Sequence, residues 1–167
     1  MAFPTVDRWF LLVPQCAQGL CIGVPIDGYG PISERPPQLM PIGEDQNFLR
    51  VWHVQQDPAS APGMSITLSL NVLVEGFVEV CFLGGCAEGA SDTATFLAPG
   101  FDYLSYYHWN LIPNGDFFAI QNCYNTDQNL NVAGDGPYPA GIPILTWDWG
   151  GGAPNELWTF VPAIPIS

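Results

Sequence analysis

The segments Asp116-Phe117-Phe118-Ala119-Ile120-Gln121-Asn122-Cys123, Asn129-Leu130-Asn131-Val132, Gly141-Ile142-Pro143-Ile144-Leu145-Thr146-Trp147 and Glu156-Leu157-Trp158-Thr159-Phe160 decide the fold. They are short apolar runs, alternating or continuous, separated by Asn, Asp, Gly and Pro, which is the pattern of short strands joined by tight turns. The same order occurs earlier in the chain. Arg8-Trp9-Phe10-Leu11-Leu12-Val13-Pro14-Gln15-Cys16, Leu20-Cys21-Ile22, Gln38-Leu39-Met40 and Arg50-Val51-Trp52-His53-Val54 form a first copy. A middle copy is more altered. There Leu70-Asn71-Val72 matches Leu130-Asn131-Val132, Gly76-Phe77-Val78-Glu79-Val80-Cys81-Phe82 has the length and phase of Gly141 to Trp147, and Tyr107-His108-Trp109-Asn110-Leu111 closes the unit.

The closing residues Trp52, Trp109 and Trp158 are 57 and 49 residues apart, so the unit is about 50 residues, with a longer loop in the middle copy expected over Gly84 to Gly100. A unit of this size cannot bury its apolar side alone and must stack on its neighbours. Three copies of four strands can close a barrel and cap it with hairpins. The expected fold is therefore all-β, a β-trefoil with three repeats and about twelve short strands. It is expected to be one domain over residues 1–167, with approximate repeats 7–56, 57–113 and 114–162. A propeller would need at least four blades of uniform spacing. Each terminal tryptophan is followed two positions later by Val54, Leu111 or Phe160, which places two large side chains on one strand face. Burial of such a ring contributes about 1.5–3 kcal/mol, so these three tryptophans are assigned to the core rather than to a ligand.

Composition narrows the function classes. The chain has 167 residues, 48% hydrophobic and only 11% charged, with 18 Gly and 17 Pro, which fits a turn-rich domain rather than a disordered chain. Sixteen acidic residues stand against three arginines and no lysine, for a net charge of -13. Every basic residue lies at or before Arg50, leaving eleven acidic side chains after it with no Lys or Arg. A phosphate backbone or an anionic membrane surface would be repelled, so nucleic acid is not an expected partner. The acidity serves solubility in the simpler reading and attraction of a basic partner in the sharper one. No apolar run approaches the length of a membrane span, so no insertion is expected. Met1 to Gly19 lacks a basic leader, a long apolar stretch and a small-residue cleavage site, so a cytoplasmic protein is expected, with leaderless secretion as the alternative.

Catalytic and metal signals are weak. Cys16 and Cys21 are separated by four residues, as are Cys81 and Cys86, with Cys123 left over. No C-x2-C pair occurs and the chain has only two histidines, so no metal or cofactor is expected. Each cysteine pair could bridge a hairpin or remain as free thiols, and geometry decides between them. His53 follows its tryptophan and His108 precedes one, so strand alternation points them apart, as local hydrogen-bonding groups rather than a catalytic base. No nucleotide-binding glycine loop or nucleophile elbow occurs. Glycoside hydrolysis needs two carboxylates roughly 5–9.5 Å apart, and the sequence marks no such pair. The chain is expected not to be an enzyme.

Over Phe117 to Phe160 the sequence resembles the ricin B-chain type of carbohydrate-binding trefoil, especially its fungal relatives. Members close each unit with Gln-x-Trp; Glu156-Leu157-Trp158 matches with Glu for Gln, while Arg50-Val51-Trp52 and Tyr107-His108-Trp109 depart further. Ile144 through Asn155 resembles the family's apolar strand, aromatic platform and Gly-rich turn. The resemblance implies a noncatalytic lectin, with glycans or glycoproteins as partners and a site on Asn131, Trp147 and Asn155. Asp148, Trp149 and Asp135 are nearby candidates. If the strand ran through Trp149, Trp147 and Trp149 would point alike and Asp148 opposite, but Gly150-Gly151-Gly152 favours a turn and makes Trp149 a rim residue. The competing reading has Trp147 filling the core and Asn155 capping a turn.

Where the family most often has Asp, this chain has Asn131, which removes charge assistance from the usual galactose-type recognition. A weaker second site falls on Asn71 and Phe82. Unit one, with Cys21 and Met40 at the corresponding places, offers none. A homodimer would strengthen binding at glycan surfaces. Because trefoils serve several purposes, the alternative is a protease inhibitor whose Pro31 to Pro41 or Gly84 to Gly100 loop enters another protein's active site. A trefoil retained for structural or storage use is a third reading.

Overall fold

The computed structural model describes residues 4, 7–26, 32, 35–43, 48–56, 65–74, 77–86, 91–99 and 107–164. Among them are the strands β1 (Arg8–Pro14), β2 (Leu20–Pro25), β3 (Gln38–Pro41), β4 (Phe48–Leu49), β5 (Trp52–Gln56), β6 (Ser65–Val74) and β7 (Phe77–Gly84). These are followed by β8 (Phe96–Pro99), β9 (His108–Asn114), β10 (Phe117–Asn122), β11 (Gln128–Val132), β12 (Ile144–Asp148) and β13 (Leu157–Pro162). Antiparallel pairing runs β1–β5, β5–β6, β6–β9, β9–β10, β10–β13 and back from β13 to β1. Six strands thus close a ring, which leaves the barrel no free edge. The pairs β2–β3, β7–β8 and β11–β12 are three hairpins across its end, and the two-residue β4 adds to β2. This is the β-trefoil expected from the repeat. No helix among the described residues is long and apolar enough to cross a membrane.

The three closing tryptophans hold the units together in the same way. Each is fully buried, and each indole N–H donates to a hairpin carbonyl: Trp52 to Ile22 at 2.9 Å, Trp109 to Leu83 at 3.1 Å, and Trp158 to Leu130 at 2.9 Å. A tryptophan suits this place because it brings a large apolar ring and the one donor that a buried carbonyl needs. Phe10, Leu12, Leu68, Phe118 and Ile120 from the barrel strands fill the space between them.

These bonds also fix which residues are equivalent, and they correct the middle copy. Leu83, not Leu70, stands where Ile22 and Leu130 stand. Leu70-Asn71-Val72 lies in β6, a ten-residue strand that begins in the barrel, so the expected alignment is displaced by one strand. Consequently β7 plays the part of β11, and β8, inside the expected loop Gly84 to Gly100, plays the part of β12. Similar apolar alternation in successive strands allowed the displacement, because period alone does not number strands. All five cysteines are free, so neither hairpin carries a disulfide. Of the two loops in the inhibitor reading, residues 31, 33–34, 87–90 and 100 lie outside the described residues.

Candidate functional site

The β11–β12 hairpin sorts its side chains by alternation. Leu130, Val132, Ile144 and Thr146 point inward and are fully buried. Their neighbours form the outward set, in which Asn129 pairs with Trp147 and Asn131 with Leu145. Trp147 is 48% exposed, whereas Trp158 is 0% exposed, so the ring at 147 is a surface platform rather than core filling.

The chain leaves β12 at Asp148 and turns through three glycines, Gly151 and Gly152 having φ of 93° and 96°. Such angles belong to the left-handed region, which favours glycine. The turn is tied by Glu156, a buried carboxylate that accepts the backbone N–H groups of Gly150 at 2.6 Å, Gly152 at 3.0 Å and Ala153 at 3.1 Å. Sequence reading missed this role. The available signal was a Glu in place of Gln beside a run of glycines, whose several unpaired N–H groups call for two acceptor oxygens.

The tied turn brings Asn155 back against β11. Its Nδ2 donates to Asn131 Oδ1 at 2.8 Å and to the carbonyls of Val132 at 3.2 Å and Gly134 at 3.3 Å, while its own carbonyl accepts the Val132 N–H at 2.9 Å. Asn131, Trp147, Asn155, Asp135, Leu145 and Gly134 line a depression of about 270 Å³. Four of the six candidates for the principal site therefore meet. Asp148 and Trp149 do not join them. They line a larger depression of about 510 Å³ together with Asn129 and Asp127. Trp149 has left the strand, and its N–H donates to the Asp127 carbonyl at 3.2 Å, so it does not repeat the direction of Trp147. Asp148 accepts from Gln128 Nε2 at 2.5 Å.

Among the described residues, the other two units lack these groups. The place of Asn131 is taken by Gly23 and Gly84, and that of Trp147 by Met40 and Ala98. A Cβ at Gly23 would stand 2.7 Å from Met40 Cγ, and one at Gly84 would stand 2.6 Å from the Phe96 ring, so neighbouring side chains fill that space. In unit one the matching position is thus Gly23 rather than Cys21, while Met40 falls where expected. Asn71 is exposed on β6 and Phe82 is buried diagonally opposite it on β7; neither occupies the place of Asn131 or Trp147. His53 stacks on Trp9 with ring centroids 4.6 Å apart, and His108 is buried. Among the described residues no group of three or more His, Cys, Asp or Glu is placed to hold a metal ion.

No family model and no curated protein matches the sequence. Solved structures do match in shape. Cry35Ab1 superposes with a TM-score of 0.69 at 14% identity, over 98% of this chain and 38% of that one. The Polyporus squamosus lectin, bound to the epitope Neu5Aca2-6Galb1-4GlcNAc, gives 0.67 at 10% identity, over 95% of this chain and 50% of that one. The Rhizoctonia solani agglutinin gives 0.65 at 11% identity, over 98% of this chain and 100% of that one. The chain thus spans half or less of the first two. At such identities the likeness shows the fold, a β-trefoil that this chain shares with proteins of more than one purpose.

Proposed function

We propose that the protein is a noncatalytic lectin that binds a sugar in the depression between Asn131, Trp147 and Asn155. The observation that carries the reading is the half-exposed ring of Trp147 beside two asparagines that hold each other in place. A flat ring covers the C–H face of a pyranose, and amides meet its hydroxyls with both donors and acceptors. The bond between them uses Asn155 Nδ2 and Asn131 Oδ1, while Asn131 Nδ2 and Asn155 Oδ1 make no hydrogen bond among the described residues, which leaves a donor and an acceptor for a ligand. Asp135 adds a carboxylate at the edge. The depression is furnished with amides and a ring rather than a nucleophile and its base, which favours binding over turnover. Among the similar structures, one is a lectin in complex with a glycan and another an agglutinin, which supports glycans or glycoproteins as partners.

A glycan array probed with the wild type and Trp147→Ala in parallel tests this. Specific binding should be lost on substitution with the fold retained. Absence of binding above background across a diverse array would overturn the reading.

A further inference from the structure

The larger depression is a second feature of the same sheet face. In the register of β9 to β12, Ile112 stands opposite Ala119, Gln121 opposite Asn129, and Asn129 opposite Trp147. Ala119 and Gln121 alternate on β10 and share a face. Asn129, which lines the 510 Å³ depression with Ala119 and Gln121, thus pairs across the hairpin with Trp147, which lines the 270 Å³ depression. Asn129 is only 2% exposed, and its Nδ2 has no hydrogen-bond partner. The amides around it are engaged: Gln121 Nε2 donates to the Thr126 carbonyl at 2.7 Å, and Gln128 Nε2 donates to Asp148. A buried donor left unpaired destabilises a fold, and such groups are rare unless something else satisfies them. Beside it are the half-exposed Trp149 ring and the carboxylates of Asp127 and Asp148.

We infer that this depression is a second subsite, which takes the adjoining unit of an oligosaccharide lying across Trp147, with a ligand oxygen accepting from Asn129 Nδ2. The inference rests on the lectin reading. The unit bound here is neutral or carries a free amine. Two carboxylates line the subsite and none of the three arginines does, so a uronate, sialate or sulfate would meet like charge. Trp149 offers the unit a second ring to stack on.

The experiment uses purified full chain and a set of saccharides, each presented as a monosaccharide and as linear di- and trisaccharides in neutral, amine-bearing and acidic forms. Asn129→Leu, which keeps the shape and removes the donor, and Trp149→Ala should each lower trisaccharide affinity about tenfold, the weight of one net hydrogen bond, and leave monosaccharide affinity unchanged. Asn129→Leu should also melt no lower than the wild type, which separates a lost contact from misfolding. Asp127→Asn should raise the affinity for acidic trisaccharides relative to neutral ones. Equal affinity of wild type and variants for trisaccharides, or trisaccharides binding no better than monosaccharides, overturns the subsite and leaves the lectin reading standing. No saccharide binding the wild type overturns both.

Discussion

Asn155 donates its side-chain amide to Asn131 Oδ1 at 2.8 Å, joining the end of the Gly-rich turn to β11 across 24 residues of sequence. The acceptor is a neutral amide. Asn131→Asp keeps the acceptor oxygen and makes it a carboxylate, and charge-assisted hydrogen bonds are roughly twice as strong as neutral ones. The substitution also exchanges the Nδ2 donor left for the ligand for a second, charged acceptor to which a sugar hydroxyl can donate, so saccharide binding should tighten by about 1 kcal/mol, some fivefold, in titration calorimetry. Asn155→Ala should weaken it at least tenfold, because it removes both the tie and the free acceptor. Weaker binding by Asn131→Asp would mean that the donors of the Asn131 amide matter more than its acceptor.

Glu156 accepts three backbone N–H groups from the turn. A glutamine there has a single acceptor oxygen and turns an amide donor toward N–H groups that also donate. Glu156→Gln should therefore destabilise the protein by about 2 kcal/mol in urea unfolding at neutral pH. Amide exchange at Gly150, Gly152 and Ala153 should accelerate in the same variant. An unchanged urea midpoint would show that the turn holds without the carboxylate.

Two tryptophans eleven positions apart behave as opposites. Trp158 is fully enclosed and its indole bonds Leu130, while Trp147 is about half exposed. Trp158→Ala should cost about 3–5 kcal/mol of stability through the cavity it leaves and the carbonyl it orphans. Trp147→Ala should cost about 1 kcal/mol or less. Urea unfolding of the two variants side by side measures the difference, and similar losses would return Trp147 to a structural role.

Much of the architecture was legible from the repeat, because the terminal tryptophans are governed by one physical demand, a buried ring that also satisfies a hairpin carbonyl. The strands of the third unit were legible for the same reason: alternation and turn residues agree there at every step. The middle unit was not, because Leu70-Asn71-Val72 and the hairpin sequence that follows share one period, and only the Trp109 to Leu83 bond distinguishes them. At the candidate site, Asn131, Trp147 and Asn155 could be grouped from sequence. The separation of Asp148 and Trp149 depended on where β12 ends, which alternation does not set. The role of Glu156 was signalled only by a Glu in place of Gln beside the glycine run, and which backbone N–H groups it ties depended on how that turn folds.

Burial pushes the thiols of Cys16, Cys21 and Cys81 from the ordinary value of 9.0 up to about 11, with Glu79 adding to the rise at Cys81 and Arg50 opposing it at Cys21. Below pH 9 folded and unfolded chains both keep these protons. As pH rises from 9 toward 11 the unfolded chain releases them first, so it binds fewer protons than the native state and stability falls. The urea midpoint, measured under reducing conditions, should decline over that window. Cys21→Ala should be less stable at pH 7 but show a shallower alkaline decline; a parallel decline in both proteins would remove Cys21 from the explanation.

Among the described residues the third unit alone carries the amide pair and the exposed ring, so the chain should bind one saccharide molecule, with a calorimetric stoichiometry near one per chain. Gly84→Asn places the missing amide at the matching position of the middle unit, but its Cβ would stand 2.6 Å from the Phe96 ring and 2.9 Å from that of Tyr107. Both rings are packed against each other at a centroid distance of 6.0 Å, so neither yields without disturbing the other. Overpacking of this kind costs about 1–3 kcal/mol. Gly84→Asn should therefore lower the urea midpoint and leave the stoichiometry at one. A second binding event in that variant, or two in the wild type, would show that a glycine at this position does not close a unit to sugar.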